Sequence, residues 1–131
     1  MTDGPDPLAY LSDAERDCVR RYVTMLRDRL GPDLVRVVLF GSAARGDMWD
    51  AGSPMHSDID LLVVTATPLV ESVAEELLNE TYPLYLECGR QIGPQFRTEA
   101  SLGSEAFAEN VARDGIELGV WLQPDAGFKR V

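Results

Sequence analysis

Residues 35–64 read VRVVLFGSAARGDMWDAGSPMHSDIDLLVV, two apolar runs joined by a loop rich in glycine, and the fold is decided there. The first run, Val35 to Phe40, is β-branched and almost wholly apolar, the signature of a buried strand. It stops at Gly41-Ser42. Gly41 permits a tight turn and a close backbone approach. Ser42 to Arg45 is expected to open a short helix whose free N–H groups face that turn, a natural seat for phosphate oxygens. Ser42 reads as an N-cap and as a phosphate contact, two roles that coexist. Arg45 either braces the turn against an acid or meets a phosphate.

The second run begins with Asp58 and Asp60. Strand residues two apart share a face at about 3.3 Å rise per residue, which sets the two carboxylates roughly 6.6 Å apart at Cα. Ile59, Leu61 and Val63 then point the other way, into the core. Aspartate is disfavoured in strands and two on one face repel, so a positive group is expected between them. A divalent cation, Mg²⁺ or Mn²⁺, meets that demand. A phosphate-sized turn beside paired carboxylates is what metal-assisted chemistry on a nucleoside triphosphate requires.

The pattern Gly41-Ser42-x-x-Arg45-Gly46 followed by Ser57-Asp58-Ile59-Asp60 resembles the nucleotidyltransferase superfamily, the DNA polymerase β-like proteins. Within it the chain is most similar to the small stand-alone members, the minimal nucleotidyltransferases of the antitoxin group. The resemblance implies an α/β fold, a small mixed β-sheet with helices mainly on one face. It implies Asp58 and Asp60 as catalytic and metal-holding residues, and Gly41, Ser42 and Arg45 as nucleotide-binding ones. It also implies a nucleoside triphosphate such as ATP as substrate, with Mg²⁺ or Mn²⁺, and a small helical HEPN-type toxin as protein partner and acceptor. A small-molecule acceptor of the aminoglycoside kind is the enzymatic variant. A catalytically weak or inactive binding module is the other reading.

The resemblance further implies a third carboxylate on the strand beside Asp58 and Asp60. By element order that strand is Gln91 to Thr98, which contains no acid. Glu99, just past its end, is the first candidate. Glu87 is the second, and it requires residues 84–88 to be strand rather than helix.

Bulk properties narrow the rest. The chain has 131 residues, enough for one domain, with residues 1–11 and 123–131 expected to be loose. The formal net charge is −10 and the only lysine is Lys129, so stable binding to DNA or RNA is not expected. A triphosphate remains admissible because metal ions screen it. The acidity itself reads as solubility, salt adaptation, or a basic protein partner. No apolar run reaches the 18 residues of a membrane span, and Met1 to Pro7 lacks the pattern of a signal peptide, so a cytoplasmic location is expected. Cys18 and Cys88 have no CxxC spacing and read as two buried thiols in a reducing compartment.

Outside the decisive stretch, Ser12-Asp13-Ala14-Glu15 forms a capping box opening a helix to about Leu30, with Cys18, Val19, Tyr22, Val23, Leu26 and Leu30 on its inner stripe. Thr67-Pro68 is expected to start the next helix, interrupted at Pro83 and restarted over 84–88. Gln91 to Thr98 reads as a strand in which Pro94 marks an edge or a bulge. A helix from Ser104 to about Arg113 and a short strand over 116–122 complete the chain. Trp49 reads as a loop anchor or a base-stacking residue, and His56 as a surface residue.

Overall fold

The computed structural model describes residues 11–41, 58–102 and 115–118. Chain order is α1 (Asp13–Leu30), a 3-10 turn (Gly31–Asp33), β1 (Leu34–Phe40), β2 (Ile59–Thr65), α2 (Glu71–Asn79), α3 (Thr81–Cys88), β3 (Ile92–Thr98), the one-turn α4 (Glu99–Leu102) and β4 (Ile116–Glu117). The expected helix over 104–113, residues 119–122 of the expected last strand, and residues 1–10 and 123–131 of the ends expected to be loose lie outside the described residues, whereas Leu11, placed in the loose lead, is buried in the core.

The α1 helix starts as its sequence dictates. The Glu15 N–H donates to Ser12 Oγ at 3.2 Å and the Ser12 N–H donates back to Glu15 Oε1 at 2.9 Å. Acids Asp13 and Glu15 occupy the first turn and Arg27 and Arg29 the last, each sign opposing the helix dipole. Cys18, Val19, Tyr22, Val23 and Leu26 are buried on its inner stripe.

The four strands lie in the order β3-β2-β1-β4. β2 runs antiparallel to β1 and parallel to β3, and β1 is antiparallel to β4, so the sheet is mixed. Val37, Leu39, Ile59, Leu61, Val63 and Ile92 face α1, Leu77 and Leu84 in one core. Val38, Leu62 and Val64 form a smaller apolar cluster on the opposite face. β3 is an edge strand, where Pro94 costs no ladder bond on its open side.

Two helix boundaries differ from the sequence expectation. The helix expected from Pro68 begins at Glu71 instead. Asp33 Oδ1 accepts from both the Thr67 N–H at 3.1 Å and the Thr67 hydroxyl at 3.0 Å, and Thr65 Oγ1 donates to the Thr67 carbonyl, holding the segment in a turn. The second break comes at Glu80 rather than at Pro83. Pro83 thus sits in the first turn of α3, where a missing N–H removes no helical bond. Gly89, at φ +80°, closes that helix.

Cys18 and Cys88 are both free thiols. Burial, with the Cys88 thiol alongside, pushes the Cys18 thiol up to about 12. No helix among the described residues is long and apolar enough to cross a membrane.

One buried ion pair ties α1 to the entry of β3. Arg90 Nε donates to Glu15 Oε2 at 2.7 Å, with both residues at most 6% exposed. Removing the cation leaves a buried carboxylate uncompensated, which costs about 3–5 kcal/mol. Arg90→Ala is therefore expected to lower the urea midpoint by that equivalent. Glu87→Gln, which breaks only an exposed pair with Arg21, should leave the midpoint almost unchanged.

Candidate active site

Asp58 and Asp60 stand at the mouth of β2. Asp60 lies opposite Phe40 of β1 on one side and Gly93 of β3 on the other. The Ile59 N–H donates to the Gln91 carbonyl at 2.8 Å, fixing the start of β2 against the segment that enters β3. Alternation does the rest. Ile59, Leu61 and Val63 are fully buried on the core face, so Asp58 and Asp60 emerge together on the other.

The turn after β1 rests on the Asp60 carboxylate. Gly41 has φ +77°, and a Cβ built there would lie only 2.5 Å from Asp60 Oδ2. Glycine is demanded twice, by backbone conformation and by space. On the other side, a Cβ at Gly93 would lie 3.7 Å from Asp60 Oδ1 and 3.8 Å from both Asp58 Cβ and Asp58 Oδ2. Both carboxylates therefore converge on one point beside β3. That is a suitable donor pair for Mg²⁺, which commonly uses one or two carboxylates and completes its shell with phosphate and water.

An open groove of about 380 Å³ adjoins the pair, lined by Phe40, Asp60, Gln95 and Arg97. Gln95 and Arg97 follow Gly93 at two-residue intervals on β3, so they share the face of Asp60. Sequence reading did not single out Gly93, Gln95 or Arg97. Their placement depends on the parallel register, which no local pattern encodes.

The two glutamates expected as a third carboxylate go elsewhere. Glu99 follows Thr98, which pairs with Thr65 at the far end of β2, while Asp60 pairs with Gly93. Five residues of strand separate those pairs, roughly 16 Å. Glu99 instead lies 3.9 Å from Arg36. Glu87 is on helix α3, not on a strand, and both its oxygens accept from Arg21, at 2.7 and 3.1 Å. Those bonds hold its carboxyl below the ordinary value. Among the described residues, no group of three or more histidine, cysteine or acidic side chains is placed to hold a metal. Ser42, Arg45, Trp49 and His56 lie outside the described residues.

The contact between Gly41 and Asp60 is testable by a double-mutant cycle. Gly41→Ala forces a left-handed conformation worth about 1–2 kcal/mol on a residue that also collides with Asp60. Adding Asp60→Ala removes the colliding oxygen and leaves only the backbone term. The double variant is expected to be more stable than the sum of the single changes by about 0.5–3 kcal/mol, read from urea unfolding. Strict additivity would place Gly41 away from the carboxylate.

The chain is similar to a solved toxin-antitoxin structure with AMP-PNP, at 22% identity and TM-score 0.51, covering 75% of this chain and 70% of that one. It is similar to a mutant of the toxin-antitoxin pair MntA-HpeT at 25% identity and TM-score 0.50, covering 76% and 70%. No curated protein matches it. The model of the nucleotidyltransferase domain matches residues 19–118, and the chain belongs to that family.

Proposed function

We propose that the protein is a metal-dependent nucleotidyltransferase that moves a nucleoside monophosphate from a nucleoside triphosphate to a hydroxyl acceptor on a helical, HEPN-type partner protein. The observation that carries this reading is the convergence of Asp58 and Asp60 on one point beside Gly93, with the Gly41 turn resting against Asp60. In the reaction the acceptor oxygen attacks the α-phosphorus, the bond to pyrophosphate breaks, and the hydroxyl proton passes to a base. Asp58 and Asp60 would hold Mg²⁺ or Mn²⁺, which when bound neutralises charge on the transferred and leaving phosphates. Gly41, with Ser42 and Arg45, would receive the β- and γ-phosphates at the turn. Phe40 and Arg97 border the groove through which the nucleotide would approach.

The partner assignment rests on the family and on the character of the surface. Leu78, Tyr82 and Leu86 are 49–64% exposed, with Glu75 and Glu80 exposed on the same segment. That combination suits a partner with an apolar face rimmed by basic residues. The formal charge of −10 points the same way. Free Cys18 and Cys88 fit a reducing, cytoplasmic location.

A second reading, a nucleotide-binding module that restrains its partner without chemistry, is favoured by one observation. Glu87 and Glu99 are both committed far from Asp58 and Asp60. Incubation with labelled triphosphates, Mg²⁺ and the partner separates the two, since only an enzyme transfers label to protein.

Ligand binding is checked by thermal unfolding. A ligand at a hundredfold excess over Kd adds about 2.7 kcal/mol, on the order of 10 °C for a domain of this size. Mg²⁺ with a triphosphate is expected to raise Tm accordingly. The pair Asp58→Asn and Asp60→Asn should abolish that rise while leaving the unliganded protein folded. An undiminished rise in that double variant would remove both aspartates from the site.

A further inference from the structure

Two thiols that the candidate site does not use are brought together by the packing of α1 on α3. Three bonds fix that packing. Glu15 Oε2 accepts from Arg90 Nε at 2.7 Å, and the Leu84 carbonyl accepts from the Cys18 thiol at 3.5 Å. The Glu87 carboxylate accepts twice from Arg21, at 2.7 and 3.1 Å. Glu15, Cys18 and Arg21 follow one another at three-residue steps, along one side of α1. Their partners run from Leu84 to Arg90, and Cys88 lies inside that span, between Glu87 and Arg90. Cys18 belongs to the main core cluster, and Cys88 packs against the same cluster. The Cys18 thiol also senses its counterpart. After burial, hydrogen bonding with the Cys88 thiol is the next cause that pushes it up to about 12.

The two sulfurs differ in what can reach them. Cys18 is 2% exposed, whereas Cys88, expected to be buried, is only half-buried at the last position of α3. The Cys88 thiol donates to the Arg90 carbonyl at 3.2 Å, in the segment that leads into β3. An oxidant arriving from solvent therefore meets Cys88 first, with Cys18 behind it as the resolving thiol. We propose that Cys18 and Cys88 form a peroxide-sensitive modification site, closing a reversible disulfide that clamps α1 to the connection between α3 and β3. The inference does not depend on the proposed function.

The chemistry takes hydrogen peroxide as oxidant. The Cys88 sulfur attacks one peroxide oxygen, the O–O bond breaks, and a water leaves behind a sulfenic acid. The Cys18 sulfur then attacks the Cys88 sulfur. The S–S bond forms as the S–O bond breaks, and the sulfenic hydroxyl departs with the Cys18 thiol proton as a second water. The two thiols are oxidised and the peroxide is reduced to water. A dithiol reverses the bond by exchange. Closure encloses β1 and β2, and with them Asp58 and Asp60, in one covalent loop. The clamped segment leads straight to Gln91, whose carbonyl accepts the Ile59 N–H at 2.8 Å and fixes the start of β2.

The test treats the folded full chain with hydrogen peroxide and reads intact mass after alkylation of the remaining thiols. The wild-type protein is expected to lose the mass of two hydrogens together with both alkylation sites. It should stay monomeric on a non-reducing gel and recover both thiols in dithiothreitol. Cys18→Ser should stop at a Cys88 sulfenic acid, captured by dimedone, and Cys88→Ser should leave Cys18 unreacted. The disulfide should form faster in the folded chain than in urea. Because a bond closing a long loop restrains the unfolded chain, oxidation should raise the urea midpoint of the wild type and of neither serine variant. Retention of both thiols, cross-linking between chains, or equally fast closure in urea would overturn the inference. A midpoint lowered by oxidation would overturn it too, since the bond would then strain the packing instead of clamping it. If Cys18→Ser does not fold, the wild type and Cys88→Ser still decide, because neither result needs the buried position changed.

Discussion

Everything at the site depends on the register of β2. That strand is hydrogen-bonded on both sides, to β1 and to β3, and its residues 59, 61 and 63 are fully buried. Because side chains alternate with period two, a slip of one residue would carry Asp60 into the apolar core and Leu61 out of it. Burying an unpaired carboxylate costs far more than any single apolar contact returns. The hydrophobic pattern that builds the core therefore also fixes which way the two aspartates point. Core and site are specified by the same eight residues, Asp58 and the seven of β2.

Two glycines flank Asp60, and physical reasons distinguish them. At Gly41 both the left-handed backbone and the 2.5 Å approach to Asp60 Oδ2 exclude a side chain, so the turn is locked against the carboxylate. At Gly93 neither condition applies, since its φ is not positive and the nearest atoms to a Cβ there lie at 3.7–3.8 Å. Behind this strand the Glu15–Arg90 pair sets the point at which the chain enters β3. Glu15 serves twice, as the return arm of the α1 capping box and as the anion for Arg90. A buried pair of this kind adds little net stability over an apolar replacement, yet its loss on one side is costly. Its geometric effect is to tie the N-terminus of α1 to the entry of β3, three residues before Gly93 comes level with Asp60.

Local patterns in the sequence were enough to find α1 with its capping box, strands β1 and β2, the turn at Gly41, and the shared face of Asp58 and Asp60. Each rests on residues within a few positions of one another. The edge position of β3 was also legible, through Pro94. What escaped was long-range. Element order identified β3 as the neighbour of β2 but could not say that residue 93, not 99, stands beside Asp60. Glu99 was expected near the aspartates because it adjoins the right strand, and the parallel direction carries it to the opposite end. Glu87 was lost to helix α3, whose start at Thr81 placed Pro83 harmlessly in the first turn. The bond between Glu15 and Arg90 spans 75 positions, and neither residue advertises it.

Electrostatics then set the order in which a proposed substrate complex forms. The chain carries a formal charge of −10, and two carboxylates stand together where the triphosphate is to bind. Two unit charges 5 Å apart repel by about 0.8 kcal/mol in bulk water and about 3 kcal/mol at the effective dielectric of a protein surface. A bare triphosphate meets several such terms at once. Arg97, which lines the same groove as Asp60, offsets only part of them. On the proposed function the nucleotide is therefore favoured to enter as its metal complex, with the cation offsetting the repulsion from the two carboxylates. The same field that repels a free polyanion draws in a basic partner surface. On the proposed function, that acidic charge disfavours nucleic acid as acceptor and favours a cationic protein in its place.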